Sequence, residues 1–144
     1  MGTDFGAVLL SPTFPHQKLW RAVLVHAIEE SIVMRNDRKS SIFKMQAYTW
    51  LVERGDDFKN VCFYGGFDPD NIGYRYKRAI EKGDVGFSEK QIAWGKYYKQ
   101  FVRYKKCKDH GSRDYHRKRM EHLRACVGRA SNIFVSMVTI SALA

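Results

Sequence analysis

The sequence predicts a mostly α-helical domain that contains a helix-turn-helix, followed by basic C-terminal helices and an apolar tail. Three observations carry this reading. Apolar residues recur at helical spacing through most of the chain. Capping and stop residues punctuate it at helix-sized intervals. No convincing strand pattern precedes the uncharged last fifteen residues. A chain of 144 residues suits a single domain. Its organisation reads as a helix-turn-helix core over about 40–83, a basic helical extension over 88–129 and an apolar tail over 130–144.

Pro12 and Pro15 bracket the first start signal, and "HQKLWRAVLVHAIEESIVM" follows as a helix. Leu19, Val23, Ile28 and Ile32 form its apolar face, widened by Trp20, Leu24 and Ala27. After the polar break "MRNDRKSS", Ser40 or Ser41 caps a second helix carrying Phe43, Ala47, Trp50 and Leu51, with Gly55 just past its end. Asp56 or Asp57 caps a short third helix with Phe58, Val61 and Cys62, which Gly65-Gly66 ends. Asp68 is an N-cap with Pro69 at the first helical position, the favoured opening of a fourth helix that Gly83 stops. "SEKQ" from Ser88 is a capping box. It opens a fifth helix to about Lys105, with Ile92, Ala93, Tyr97, Phe101 and Tyr104 at core-like spacing. A sixth runs from Arg113 to about Arg129, and the tail "NIFVSMVTISALA" fits either more helix or a strand.

Charge is unevenly spread. Residues 1–74 carry 8 Lys/Arg and 9 Asp/Glu, whereas residues 75–129 carry 17 and 6. Basic residues interleaved with Tyr and Phe point to a polyanion partner, DNA first and RNA as an alternative. Three cysteines without paired spacing fit a reducing compartment rather than a disulfide scaffold. The N-terminus lacks the form of a signal peptide. Gly6 stands where a myristoylation signal needs Ser or Thr. The uncharged run at the C-terminus is 15 residues, short of a membrane span. The expectation is a cytoplasmic protein with no membrane partner.

The corner "DDFKNVCFYGGFDPDNI" meets the demands of a DNA-binding helix pair. Cys62 is the small residue where the helices cross, and Gly66, four residues later, supplies positive φ. Val61, Phe67 and Ile72 are its apolar positions. An αα-hairpin that touches no DNA satisfies the same demands. The segment resembles the "DFxxVCxxAGLDPxxV" stretch of small helix-turn-helix proteins encoded by bacteriophages and prophages, over roughly residues 40–80. A tryptophan-containing helix precedes it there, as "AYTWLVERGDDF" does here. The resemblance implies that Asp68 to Lys82 is a recognition helix, in a protein of the host bacterial cytoplasm. Gly65 in place of Ala, and Gly73 inside the recognition helix, depart from the pattern. An interior Gly implies close approach by a partner helix or by DNA backbone.

The residues expected to meet nucleic acid are Asn71, Tyr74, Arg75, Lys77 and Arg78, with Asn71 suited to an adenine edge and the cations to phosphates. Asp68 and Asp70, at the front of that helix, oppose simple major-groove docking. Lys96, Lys99, Arg103 and Lys106 fall along one side of the fifth helix. Arg113, Arg117, Lys118, Arg119 and Arg124 continue the charge.

Cys107, His110, His122 and Cys126 approximate the spacing of a zinc finger. The ligand order is unusual and the first pair lacks a knuckle glycine, so the ordinary reading is a free thiol, a core Cys126 and surface imidazoles. No zinc or other cofactor is assigned. Glu29-Glu30, Asp56-Asp57 and Asp68/Asp70 read as helix capping rather than catalysis, and "GGFDPD" lacks the Lys and hydroxyl of a phosphate loop. No catalytic residue is assigned. The second functional class is a protein-interaction module, either a virion component or a binder of a host enzyme such as RNA polymerase, that places its basic face on an acidic protein. The apolar tail packs on the domain or forms a homodimer interface.

Overall fold

The computed structural model describes residues 16–136 and is mostly helical. In order it contains α1 (Gln17–Glu30), α2 (Arg38–Glu53), α3 (Asp56–Gly65), α4 (Pro69–Glu81), β1 (Gly86–Ser88), α5 (Glu89–Lys106), α6 (His110–Arg129) and β2 (Phe134–Ser136). No helix among the described residues is long and apolar enough to cross a membrane. Pro12 and Pro15, and Met137, Val138 and Ile140 of the tail, lie outside the described residues.

Helix α2 is the hub, packed on α1, α4 and α5. The core gathers Leu24, Leu51, Phe58, Val61, Cys62, Phe67, Ile72, Tyr76 and Val85. Thus the apolar positions of the α3–α4 corner are the centre of the protein. Gly66 ends α3 with φ +76°, a conformation that a side chain resists. The amide of Phe67 returns to the carbonyl of Cys62 at 2.8 Å. Asp68 then caps α4 through the amide of Asp70 at 3.1 Å, with Pro69 at the first turn.

The first helix is rotated from the expected face. Leu19 is 60% exposed and Val23 is exposed, while Leu24 is buried and Trp20 and Ile28 pack beside it. The contact with α3 sets this rotation. Trp20 meets the Tyr64 ring at 5.5 Å, and Arg21 Nε donates to the Gly65 carbonyl at 2.9 Å. Phe43, expected in the core of α2, is 41% exposed.

Three caps also differ. Asp37, not Ser40 or Ser41, caps α2, accepting from the Ser40 amide at 3.0 Å. That bond holds the Asp37 carboxyl below its ordinary range. Arg54 adopts the left-handed conformation that ends α2, so Gly55 becomes the cap of α3 and Asp56 and Asp57 move into its first turn. Asp109 caps α6, which starts three residues before Arg113.

The strand reading of the tail holds at Phe134–Ser136, but its partner β1 was not legible locally. Residues 86–88 run antiparallel to 134–136, with Phe87 opposite Val135. Three residues give no period to read, and the partner lies nearly fifty positions away. Ser88 does form the expected capping box with Gln91. Gln91 does more than cap. Its Nε2 donates to the carbonyls of Val33 at 3.1 Å and Arg35 at 2.8 Å, tying α5 to the α1–α2 connection.

Candidate nucleic-acid interface

Helix α4 turns Ile72, Gly73 and Tyr76 inward, so the phase of the helix puts Asn71, Tyr74, Arg78 and Lys82 on the outside. A cleft of about 340 Å³ is lined by Asn71, Tyr74, Arg75, Arg78, Ala79, Lys82 and Asp84. Within it Arg78 Nη1 donates to the Tyr74 hydroxyl at 3.2 Å, and the Arg75 Nε to the Asn71 side-chain carbonyl at 3.4 Å. Asn71 thus engages its side-chain oxygen in this bond. Four of the five expected α4 residues thus share one surface. Lys77 does not. It lines a separate pocket with Arg54, Asp70 and Gly73, on the other flank of the helix.

Gly73 is not left open for DNA backbone or for a partner helix. A Cβ there would stand 2.3 Å from Arg54 Nη1 and 2.6 Å from its Cδ, so the Arg54 side chain occupies the space. The sequence held no signal for this, because the contact joins Arg54, in a left-handed conformation at the end of α2, to a residue nineteen positions on. Lys82 was also missed as a site residue. Its position four residues after Arg78 was the available cue.

The electrostatics distinguish α4 from the helices that follow. Residues 68–84 carry four acids and four cations, whereas residues 89–129 carry thirteen cations and four acids. On α5, Lys96, Lys99, Arg103 and Lys106 are all exposed and stand in one row. The row is about 15 Å long at 1.5 Å per residue. Its members make no ion pair among the described residues.

Helix α6 packs antiparallel to α5, with Gln100 Nε2 2.7 Å from His116 Nδ1. Arg113 covers the Tyr104 ring at 4.4 Å and Arg124 lies 6.0 Å from the Tyr97 ring. These tyrosines sit roughly 130° round α5 from the centre of the cation row. Arg117 and Lys118 both pair with Asp114, at 2.5 and 3.2 Å. Such exposed pairs are weak and do not lock the cations, but they lower the local positive potential.

The zinc-like spacing does not close. Helix α6 is continuous from His110 to Arg129, so His110 and His122 are about 18 Å apart along it. Cys126 is half-buried beside His122 and Arg129 rather than in the core, and its Sγ lies 3.8 Å from His122 Nε2. No group of three or more potential ligands forms among the described residues. The third thiol, Cys62, is buried, and burial pushes it up to about 12, with the Asp68 carboxylate adding to the shift.

Comparison with known protein families, curated proteins and solved structures finds no match to this chain.

Proposed function

We propose that the chain is a DNA-binding protein that grips the phosphate backbone along α5 and presents the outer face of α4 to the bases. The observation that carries this reading is the row Lys96, Lys99, Arg103 and Lys106, exposed and without carboxylate partners among the described residues. Like charges arrayed without counter-charges repel one another, and a polyanion relieves that repulsion while releasing its own counterions.

Helices α3 and α4 supply the helix-turn-helix of this reading. Its buried corner leaves Asn71, Tyr74 and Arg78 facing solvent, where α4 would lie against a duplex. The resemblance of this segment to phage-encoded helix-turn-helix proteins supports a transcriptional regulator or nucleoprotein factor acting in the bacterial cytoplasm. The balanced charge of α4 assigns the affinity to α5 and leaves α4 the weaker, orienting contacts. A titration of labelled duplex DNA at several salt concentrations tests it, with steep loss of affinity as salt rises expected. Binding that is absent at low salt refutes it.

The neutrality of α4 favours one second reading, a module that lays the α5 row on an acidic host protein. A stoichiometric protein co-purifying in place of nucleic acid would select that reading.

A further inference from the structure

Between α2 and α5 runs a groove of about 330 Å³ that the α4 and α6 surfaces leave untouched. Ile42, Met45, Gly95 and the rings of Trp50 and Tyr98 line it. Gly95 matters here for its missing side chain, since a Cβ would come 3.1 Å from Met45 Cε. Trp50 is held before anything binds. Its Nε1 donates to Asp57 Oδ2 at 2.9 Å, and its ring packs edge-on to Phe58 at 5.1 Å. A fixed aromatic wall loses little side-chain freedom on binding.

Lys99 belongs to both the groove and the cation row. Lys96 and Arg103 lie about one helical turn to either side of it. An apolar slot with aromatic walls, opening onto a track of unpaired cations, joins the two contacts that hold single-stranded nucleic acid: ring stacking and phosphate neutralisation. Charge complementarity selects this occupant over an apolar peptide, because Glu53 is the groove's lone acid beside that row. Bases inside a duplex are stacked and paired and do not reach such a slot.

We infer that the α2–α5 groove takes an unpaired base of a single-stranded DNA segment at the point where it leaves the duplex, its adjoining phosphate meeting Lys99 while the rest of the row holds the duplex backbone. The inference rests on the nucleic-acid reading above and narrows its substrate to DNA with an unpaired stretch, such as a strand leaving a duplex.

The test compares a blunt duplex, the same duplex with an oligo-dT tail, and the duplex with an oligo-U tail, by fluorescence anisotropy at one salt concentration. The dT-tailed duplex is expected to bind more tightly than the blunt one. Tyr98→Ala is expected to reduce the affinity for the tailed DNA by about five- to a hundredfold and leave that for the blunt duplex unchanged. Tyr98→Phe, which keeps the ring, retains the preference. In a Trp20→Phe/Trp94→Phe variant, where Trp50 is the sole tryptophan, tailed DNA quenches the emission and blunt duplex does not. Equal affinity for blunt and tailed DNA, or equal loss for both in Tyr98→Ala, overturns the inference while leaving DNA binding intact. A tighter complex with oligo-U overturns the assignment to DNA. No binding in any arm overturns the nucleic-acid reading itself.

Discussion

The ammonium of Lys44 donates to the side-chain carbonyl of Gln91 at 3.0 Å, and both residues are fully buried. The same Nζ meets the Gly86 carbonyl at 2.5 Å and lies 4.5 Å from the Phe87 ring and 5.1 Å from that of Phe134. All its partners are neutral. Burial therefore lowers Lys44 to about 8. The unfolded chain holds this proton up to the ordinary lysine range and the folded chain gives it up earlier, so stability rises with pH from about 8. The rise should approach ~1.4 kcal/mol per pH unit. Urea denaturation at pH 7, 8 and 9 should show it, and Lys44→Met should flatten it.

Cys62 acts with the opposite sign. Its folded thiol keeps the proton to about 12 and the unfolded thiol loses it near 9, so stability falls as pH passes 9. Cys62→Ala should remove that fall at a cost of about 1 kcal/mol at neutral pH. Thiol titration of the native protein should find Cys107 and Cys126 accessible and Cys62 reacting only on unfolding.

The salt dependence of duplex binding reports how many phosphates are held. Replacing Lys96, Lys99 and Arg103 together with Ala should reduce the slope of log affinity against log salt by about 2.7, at roughly 0.9 per contact. A slope unchanged from the parent protein places the phosphates elsewhere.

The two flanks of α4 give separable mutants. Arg78→Ala should weaken duplex binding, since Arg78 stands in the outer cleft beside Tyr74. Lys77→Ala should leave it within twofold, because Lys77 lines the pocket with Arg54 on the other flank. Equal effects in a binding titration would dissolve this distinction.

Two glycines should respond oppositely to alanine. Gly66→Ala forces a side chain into φ +76° and against Gln17, and should lower stability by about 1–2 kcal/mol. For Gly73→Ala the three nearest atoms all belong to the Arg54 side chain, which has to swing aside from its Cδ outward. The gain in helix propensity should then raise stability by up to about 1 kcal/mol. Thermal melts of the two variants decide both signs.

The sequence by itself determined the features written in neighbouring residues. Asp68-Pro69 starts α4, Ser88 and Gln91 form a capping box, Gly66 closes α3, and Val61, Cys62, Phe67 and Ile72 are buried. Each follows from a local rule of backbone geometry or period. Tertiary structure decided what depends on a distant partner. Contact with α3 chose Leu24 over Leu19 as the inward face of α1. The Tyr97 and Tyr104 contacts turned Arg124 and Arg113 away from the α5 row. A continuous α6 separated the zinc-like pairs. Lys44, polar by type, is buried because Gly86 and Gln91, more than forty residues away, satisfy its ammonium. A local pattern fixes which groups an element presents, but the three-dimensional packing of the other elements fixes which of them meet water.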